Sequence, residues 1–157
     1  METDWLIVDG NNLLHACPEI TEHPGPVDFA AARQLLARRL DRLAGRLAGR
    51  VTLVFDGTVG GRDASFTGAA EVVYAAAAAT ADSVIERLVA GAPRSLRILV
   101  VTSDRPEARV VEAGGGQTLS CRAFAAWLAD DAREQRRQRA QAPLSTFRPR
   151  LGDRFPR

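Results

Sequence analysis

In Trp5-Leu6-Ile7-Val8-Asp9-Gly10-Asn11-Asn12, four apolar residues in a row stop on a carboxylate followed by glycine. An apolar run without alternation reads as a strand buried on both faces, here delivering Asp9 to its carboxyl edge. Two later runs repeat the pattern. Val51-Thr52-Leu53-Val54-Phe55 ends on Asp56-Gly57, and Leu96 to Val101 runs into Thr102-Ser103-Asp104. In an open parallel α/β sheet, ligands bind in the crevice beyond the carboxyl ends of the strands. Three strands each finishing in aspartate would therefore build one acidic pocket.

The segments between these strands read as helices. Asn11 to Pro26 carries Pro18, Pro24, Gly25 and Pro26 and is expected to be a loop. Asp28 then caps a helix from Phe29 to Ala48, in which Leu35, Leu36, Leu40, Leu43 and Leu47 recur at helical spacing. Arg33, Arg38, Arg39, Arg42 and Arg46 cover its other faces, an arrangement that suits a solvated surface better than a nucleic-acid site. Gly57 to Gly68 is glycine-rich and polar, hence a mobile loop or an irregular edge, and Glu71 to Ala75 is a short strand. Thr80 is placed to cap a helix from Ala81 to Ala90, where Asp82 and Glu86, four apart, share a face. Pro106 starts a helix to Ala113. Gln117 to Leu119 forms a minor strand, and Ala123 to Gln141 a final helix that is apolar early and arginine-rich late. Strands alternating with helices predict a doubly wound α/β domain with a parallel sheet, without internal repeat or second domain.

The chain has 157 residues, 46% hydrophobic and 25% charged, as in a globular protein with a sizeable core. No apolar run approaches the roughly 20 residues that span a bilayer. Glu2 and Asp4, just before a strand, do not read as a signal peptide, so a cytoplasmic protein without membrane partner is expected. Cys17 and Cys121 stand far apart without metal-ligand spacing and are expected to be reduced thiols. Every one of the 21 basic residues is arginine. Residues 132 to 157 hold eight of them against Glu134 and Asp153, a net of +6, which leaves −4 for residues 1 to 131.

The residues that point to chemistry are Asp9, Asp56, Asp82 and Asp104, with Glu86 behind them. Each has an ordinary alternative: Asp104 as a helix cap, Asp82 as a first-turn carboxylate matching the helix dipole, Asp56-Gly57 as a turn. Their coincidence on one sheet edge is what favours a site. Converging carboxylates without a lysine partner repel one another, and a hard divalent cation such as Mg²⁺ or Mn²⁺ is the usual compensation. Zinc would want thiolates or paired imidazoles, which this pattern does not offer. A carboxylate-held metal supports in-line displacement at phosphate, the chemistry of a metal-dependent nuclease. The absence of lysine removes the phosphate loop of NTPases, and argues against haloacid-dehalogenase-type phosphatases and response-regulator receivers. No G-x-G-x-x-G follows the first strand, so no nucleotide cofactor is expected.

Asp9-Gly10-Asn11-Asn12 matches the D-G-x-N opening of NYN domains. Val54-Phe55-Asp56, Glu71-Val72-Val73-Tyr74, Thr80 to Val89 and Val101-Thr102-Ser103-Asp104-Arg105 follow in the same order as in that family. Over Trp5 to Leu128 the chain thus resembles the YacP-like NYN domains, relatives of PIN nucleases. The resemblance implies a PIN-like three-layer α/β/α fold with a central, mainly parallel sheet. It also implies Mg²⁺- or Mn²⁺-dependent endoribonuclease activity, directed in some members at ribosome-associated RNA. It makes Asp9, Asp82 and Asp104 the metal ligands, Asp56 a fourth catalytic acid, and Asn12 and Ser103 braces of the site. Glu86 stands behind these ligands, and Arg105 contacts RNA. Where a more polar segment is expected before Thr80, this chain has Ala75 to Ala79.

The expected domain runs from 1 to 141, followed by a basic, disordered tail over 142 to 157. Arg133, Arg136, Arg137 and Arg139, with the arginines of the tail, can hold RNA phosphates by charge and bidentate geometry. A merely solubilising end fits equally well. His15 lies near the motif but reads as a surface or packing residue, and Trp5 as core. Two rivals stand beside the nuclease: a non-catalytic NYN module that docks on RNA or the ribosome, and a metal-dependent phosphatase of small esters.

Overall fold

In the computed structural model, which describes residues 2–57, 61–62, 68–76 and 78–141, the Trp5–Asp9 run is strand β1 at the middle of a mixed sheet. Among the described residues the sheet has six strands in the order β3-β4-β2-β1-β5-β6. The other strands are β2 (Arg50–Phe55), β3 (Gly61–Arg62), β4 (Glu71–Tyr74), β5 (Ile98–Val101) and β6 (Gln117–Leu119). Only the two-residue β3 is antiparallel to its neighbour; β4, β2, β1, β5 and β6 are mutually parallel. The central position expected of so apolar a strand is therefore the one β1 occupies, with all five residues buried.

Between the strands lie α1 (Gly10–Ala16), a 3₁₀ turn (Pro18–Thr21), α2 (Phe29–Leu47), α3 (Ala81–Gly91), α4 (Arg105–Ala113) and α5 (Cys121–Gln141). Neighbouring strand residues in register point the same way, and successive ones alternate. Trp5, Ile7 and Asp9 share a face with Thr52, Val54, Ile98 and Val100. This face packs on Ala81, Val84, Ile85 and Val89 of α3 and Val111 of α4. There the Trp5 indole donates to the Thr52 hydroxyl at 2.9 Å inside the core, satisfying two groups that would otherwise be costly to bury. Leu6, Val8, Leu53 and Phe55 point the other way, toward the layer in which α1 and α2 pack against β2 and each other. Helices on both faces of a parallel sheet give the three-layer α/β/α arrangement.

Three expectations need correction. Asn11 to Pro26 is not a loop throughout, because α1 and the 3₁₀ turn occupy Gly10–Ala16 and Pro18–Thr21. The glycine, two asparagines and proline that suggest a turn are outweighed by burial of Gly10, Leu13 and Leu14. Gly10 also lies so close to the Phe55 ring that a Cβ there would stand 2.3 Å from a ring carbon. The arginines of α2 do not form one solvated face either. Arg38, Arg42 and Arg46 are exposed, but Arg39 is buried, donating to the Ile20 carbonyl at 2.6 Å and pairing with Glu22 at 3.1 Å. It straps the 3₁₀ turn to α2. The third aspartate-ended strand starts at Ile98 rather than Leu96, which closes a turn through its N–H to the Pro93 carbonyl.

Internal contacts divide the chain into Met1–Ala125 and Ala126–Arg157, a boundary inside α5. The expected tail over 142 to 157 lies outside the described residues. Cys17 and Cys121 are free thiols, both buried. Among the described residues, no helix is long and apolar enough to cross a membrane.

Candidate metal centre

Asp9 ends β1 on the face covered by α3 and α4, so its carboxylate meets whatever those helices present in their first turns. Its Oδ1 accepts from the Asn12 N–H at 3.1 Å, which makes it the cap of α1 as well. Opposite it, Thr80 and Ser83 form a capping box that fixes the start of α3, with Asp82 in the first turn. Glu107 comes from the first turn of α4. Asp9, Asp82 and Glu107 each offer a carboxylate oxygen, and the three oxygens lie within 4.8 Å of one another. Among the described residues this is the one cluster of acidic, histidine or cysteine side chains with such spacing. Asp9 is 4% exposed and Glu107 2%, while Asp82 is half-buried.

The sequence reading missed Glu107. Asp104-Arg105-Pro106-Glu107 has the spacing of a capping box, in which the glutamate would turn back to the N–H of the cap residue. Half of that box forms: Asp104 Oδ1 accepts from the Glu107 N–H at 3.0 Å. The other half does not, because the Asp104 N–H is taken by Thr102 Oγ1 at 3.1 Å. The same Thr102 hydroxyl donates to Glu107 Oε2 at 2.6 Å. Thr102 thus releases Glu107 from the cap and turns it toward Asp9. The one hint in the sequence is a threonine two residues before the cap.

The remaining predicted residues ring this cluster. Asp104 is the N-cap of α4 rather than a member of the close triad, though its charge bears on Asp82. Asp56 accepts from the Ala81 N–H at 2.7 Å and from Asn11 Nδ2 at 3.3 Å, tying the end of β2 to the start of α3. Asn12 Oδ1 accepts from the Ser103 N–H at 2.7 Å and from the Cys121 thiol at 3.1 Å. Ser103 Oγ accepts from the Cys121 N–H at 3.0 Å. These bonds join the first turn of α1 to the turn after β5 and to the start of α5. Glu86, half-buried one turn after Asp82, adds to the negative potential there. Arg105 is exposed at the first position of α4. In the second unit, Arg133 pairs with Asp130, and Arg137 with Glu134 at 2.7 Å, while Arg136 and Arg139 are exposed.

Electrostatics follow from burial. Desolvation pushes the Glu107 carboxyl up to about 9; the Thr102 hydrogen bond opposes this, and the charges of Asp9 and Asp82 reinforce it. Asp9 rises to about 6, again chiefly through desolvation, with the Asn12 N–H holding it down. Asp82 is raised by burial and then by the charge of Asp104. In addition, Glu107 Oε1 is buried with no N–H or hydroxyl donor, facing only the neighbouring carboxyls, with the nearer of which it shares a proton when metal is absent. A buried carboxylate oxygen without a donor, facing two further carboxylates, is a ligand set for a hard divalent cation. Such a cation would neutralise the mutual repulsion and fill the empty coordination of Oε1, so the residues fit Mg²⁺ or Mn²⁺.

No curated protein matches the chain. Solved structures do. Rae1 (YacP) from Bacillus subtilis is 30% identical with a TM-score of 0.71, over 87% of this chain and 80% of that one. A tryptophan-to-leucine mutant of the same protein is 27% identical with a TM-score of 0.71, over 90% and 86%. The model of the YacP-like NYN domain matches residues 6–155. With the PIN-like sheet and its acidic carboxyl edge already in place, this match settles the family: the chain belongs to the YacP-like NYN domains, a PIN-like, nuclease-type family.

Proposed function

We propose that this protein is a Mg²⁺- or Mn²⁺-dependent endoribonuclease whose metal is held by Asp9, Asp82 and Glu107. The observation that carries this reading is the close triad itself: carboxylate oxygens of Asp9, Asp82 and Glu107 within 4.8 Å of one another, with no N–H or hydroxyl donor to the buried Glu107 Oε1. When bound, the metal supplies Lewis-acid stabilisation of charge at a phosphodiester and a nucleophilic water. The protein residues divide the remaining work. Asp104 adds charge beside Asp82 and fixes α4, and Asp56 fixes α3, so both helix starts present their acids to Asp9. Asn12 and Ser103 tie the start of α1, directly after Asp9, to the turn that carries Asp104.

RNA is the substrate class the family suggests, and the resemblance points, for some members, to ribosome-associated RNA. Arg105, exposed next to Asp104, and, in the second unit, Arg133, Arg136, Arg137 and Arg139 are proposed as phosphate contacts on their charge alone. The test is incubation of a labelled single-stranded RNA with purified protein and Mg²⁺ or Mn²⁺, with Asp9→Asn alongside. Cleavage by the wild type, lost in the variant and in EDTA, is expected. Equal cleavage by the folded Asp9→Asn variant would refute the assignment. Salt-sensitive binding without any products would favour a non-catalytic RNA-binding module instead. Release of phosphate from a generic monoester, with RNA untouched, would select the phosphatase.

A further inference from the structure

The guanidinium of Arg33, in the second turn of α2, stands among aromatic rings: 4.8 Å from the centre of Phe29, 5.7 Å from Phe55 and 5.9 Å from Tyr74. Its Nε is buried and has no hydrogen-bond partner. Among the described residues no carboxylate pairs with it, unlike Arg39, Arg50 and Arg97, each of which has its acid. Ring faces orient a cation and stabilise it without cancelling its charge. Arg33 is therefore a held, unneutralised positive charge in a fold whose body is acidic.

Its position relates it to the candidate metal centre. Phe55 is the last residue of β2, immediately before Asp56, and its ring lies against Gly10, the residue after Asp9. Tyr74 pairs with Phe55 at the end of β4. Arg33 thus stands at the same carboxyl edge as the three acids, on the α2 side of the sheet rather than the α3 side. Next to it, Phe29 carries the exposed His15 imidazole stacked at 5.4 Å and 23°. The same two rings line a cavity of about 490 Å³, walled further by Pro18, His23 and Pro26.

We infer that Arg33, Phe29 and His15 form a binding site for single-stranded RNA: the Arg33 guanidinium takes a backbone phosphate and the His15–Phe29 face receives a neighbouring unpaired base. The inference rests on the nuclease reading for its substrate class and adds where the strand runs, across the sheet edge from the acids toward α2. A cation and an aromatic face side by side match the two repeating parts of a single strand, phosphate and splayed base. A duplex keeps its bases stacked and offers the His15–Phe29 face nothing.

Binding is measured by fluorescence anisotropy of a short labelled single-stranded RNA in EDTA, over a series of salt concentrations, with the full chain. The absence of divalent metal separates this test from that of cleavage: a failed nuclease assay leaves it readable, and the reverse holds too. Arg33→Gln is expected to weaken binding about five- to tenfold and to reduce the slope of log K against log salt by about 0.7. His15→Ala, at an exposed position, is expected to weaken binding about threefold with the slope unchanged. Arg38→Gln, exposed on the same helix, should change neither, and duplex RNA should bind more weakly than the single strand. Arg33→Lys keeps the charge and stem, and should retain the slope if the glutamine variant does not fold. Wild type that binds no RNA would overturn the site. So would Arg33→Gln and His15→Ala variants with unchanged affinity, or an equal loss in Arg38→Gln.

Discussion

Thr102 and Glu107 are joined by a 2.6 Å hydrogen bond within the core, and that bond decides where the glutamate points. Removing it lets Glu107 complete the capping box at Asp104. Thr102→Val is nearly isosteric, so the fold is expected to survive at a cost of about 1 kcal/mol. Mn²⁺ affinity is expected to fall about tenfold, in the range seen when residues supporting metal ligands are removed. Calorimetric titration beside a urea melt checks both, and unchanged Mn²⁺ affinity would show that Glu107 needs no such guide.

Asp104 separates two roles in one residue. As N-cap it accepts from the Glu107 N–H, a task asparagine performs equally well. Asp104→Asn is therefore expected to keep stability within about 0.5 kcal/mol while removing a charge from beside Asp82. RNA cleavage should drop at least about tenfold if that charge contributes to the site. Asp104→Ala, which also loses the cap, should in addition cost about 1 kcal/mol in a urea melt.

The raised carboxyls of Glu107 and Asp9 make stability depend on pH with a definite sign. Glu107 rises from 4.5 to about 9 and Asp9 from 3.8 to about 6. The folded protein therefore keeps protons that the unfolded chain releases, so stability falls as pH rises. The contribution is complete below about pH 4 and is lost gradually up to about pH 9, the upper limit set by Glu107. The Tm of metal-free protein is expected to decline across that window. Metal competes with the same protons, so Mn²⁺ should bind more tightly at pH 8 than at pH 6. Melts in EDTA and titrations at both pH values test the two signs, and a Tm that rises with pH through the neutral range would contradict them.

Gly10 touches the Phe55 ring so closely that any side chain must displace it. Gly10→Ala is expected to destabilise the fold by about 1–3 kcal/mol, the usual effect of overpacking. A denaturant melt reads the loss directly. Stability within about 0.5 kcal/mol of wild type would mean the ring moves aside freely, since substitutions without such a clash fall in that range.

Much of this was legible in the sequence because β1 is too apolar to lie anywhere but the centre, and its terminal aspartate therefore had to be accounted for. The parallel sheet, the caps Asp28 and Thr80, and the meeting of Asp9 with Asp82 follow from the same local rules. Glu107 escaped because its spacing from Asp104 imitates a capping box, and only the three-dimensional path of Thr102 reveals that the box is broken. Helix α1 escaped because packing of Leu13 and Leu14 outweighs a turn-like composition. Arg33 and Arg39 were grouped with solvated arginines because helical periodicity gives a residue's face but not what other segments bring against it.

The most direct measurement is calorimetric titration of Mn²⁺ into wild type and Glu107→Gln at pH 7.5, each shown by thermal melt to be folded. The glutamine replaces a carboxyl that is already protonated in the metal-free protein, so the metal-free fold should be unaffected. Binding by the wild type that weakens by more than about tenfold in the variant is the expected result. Equal binding by the two proteins would contradict a metal centre built on Asp9, Asp82 and Glu107.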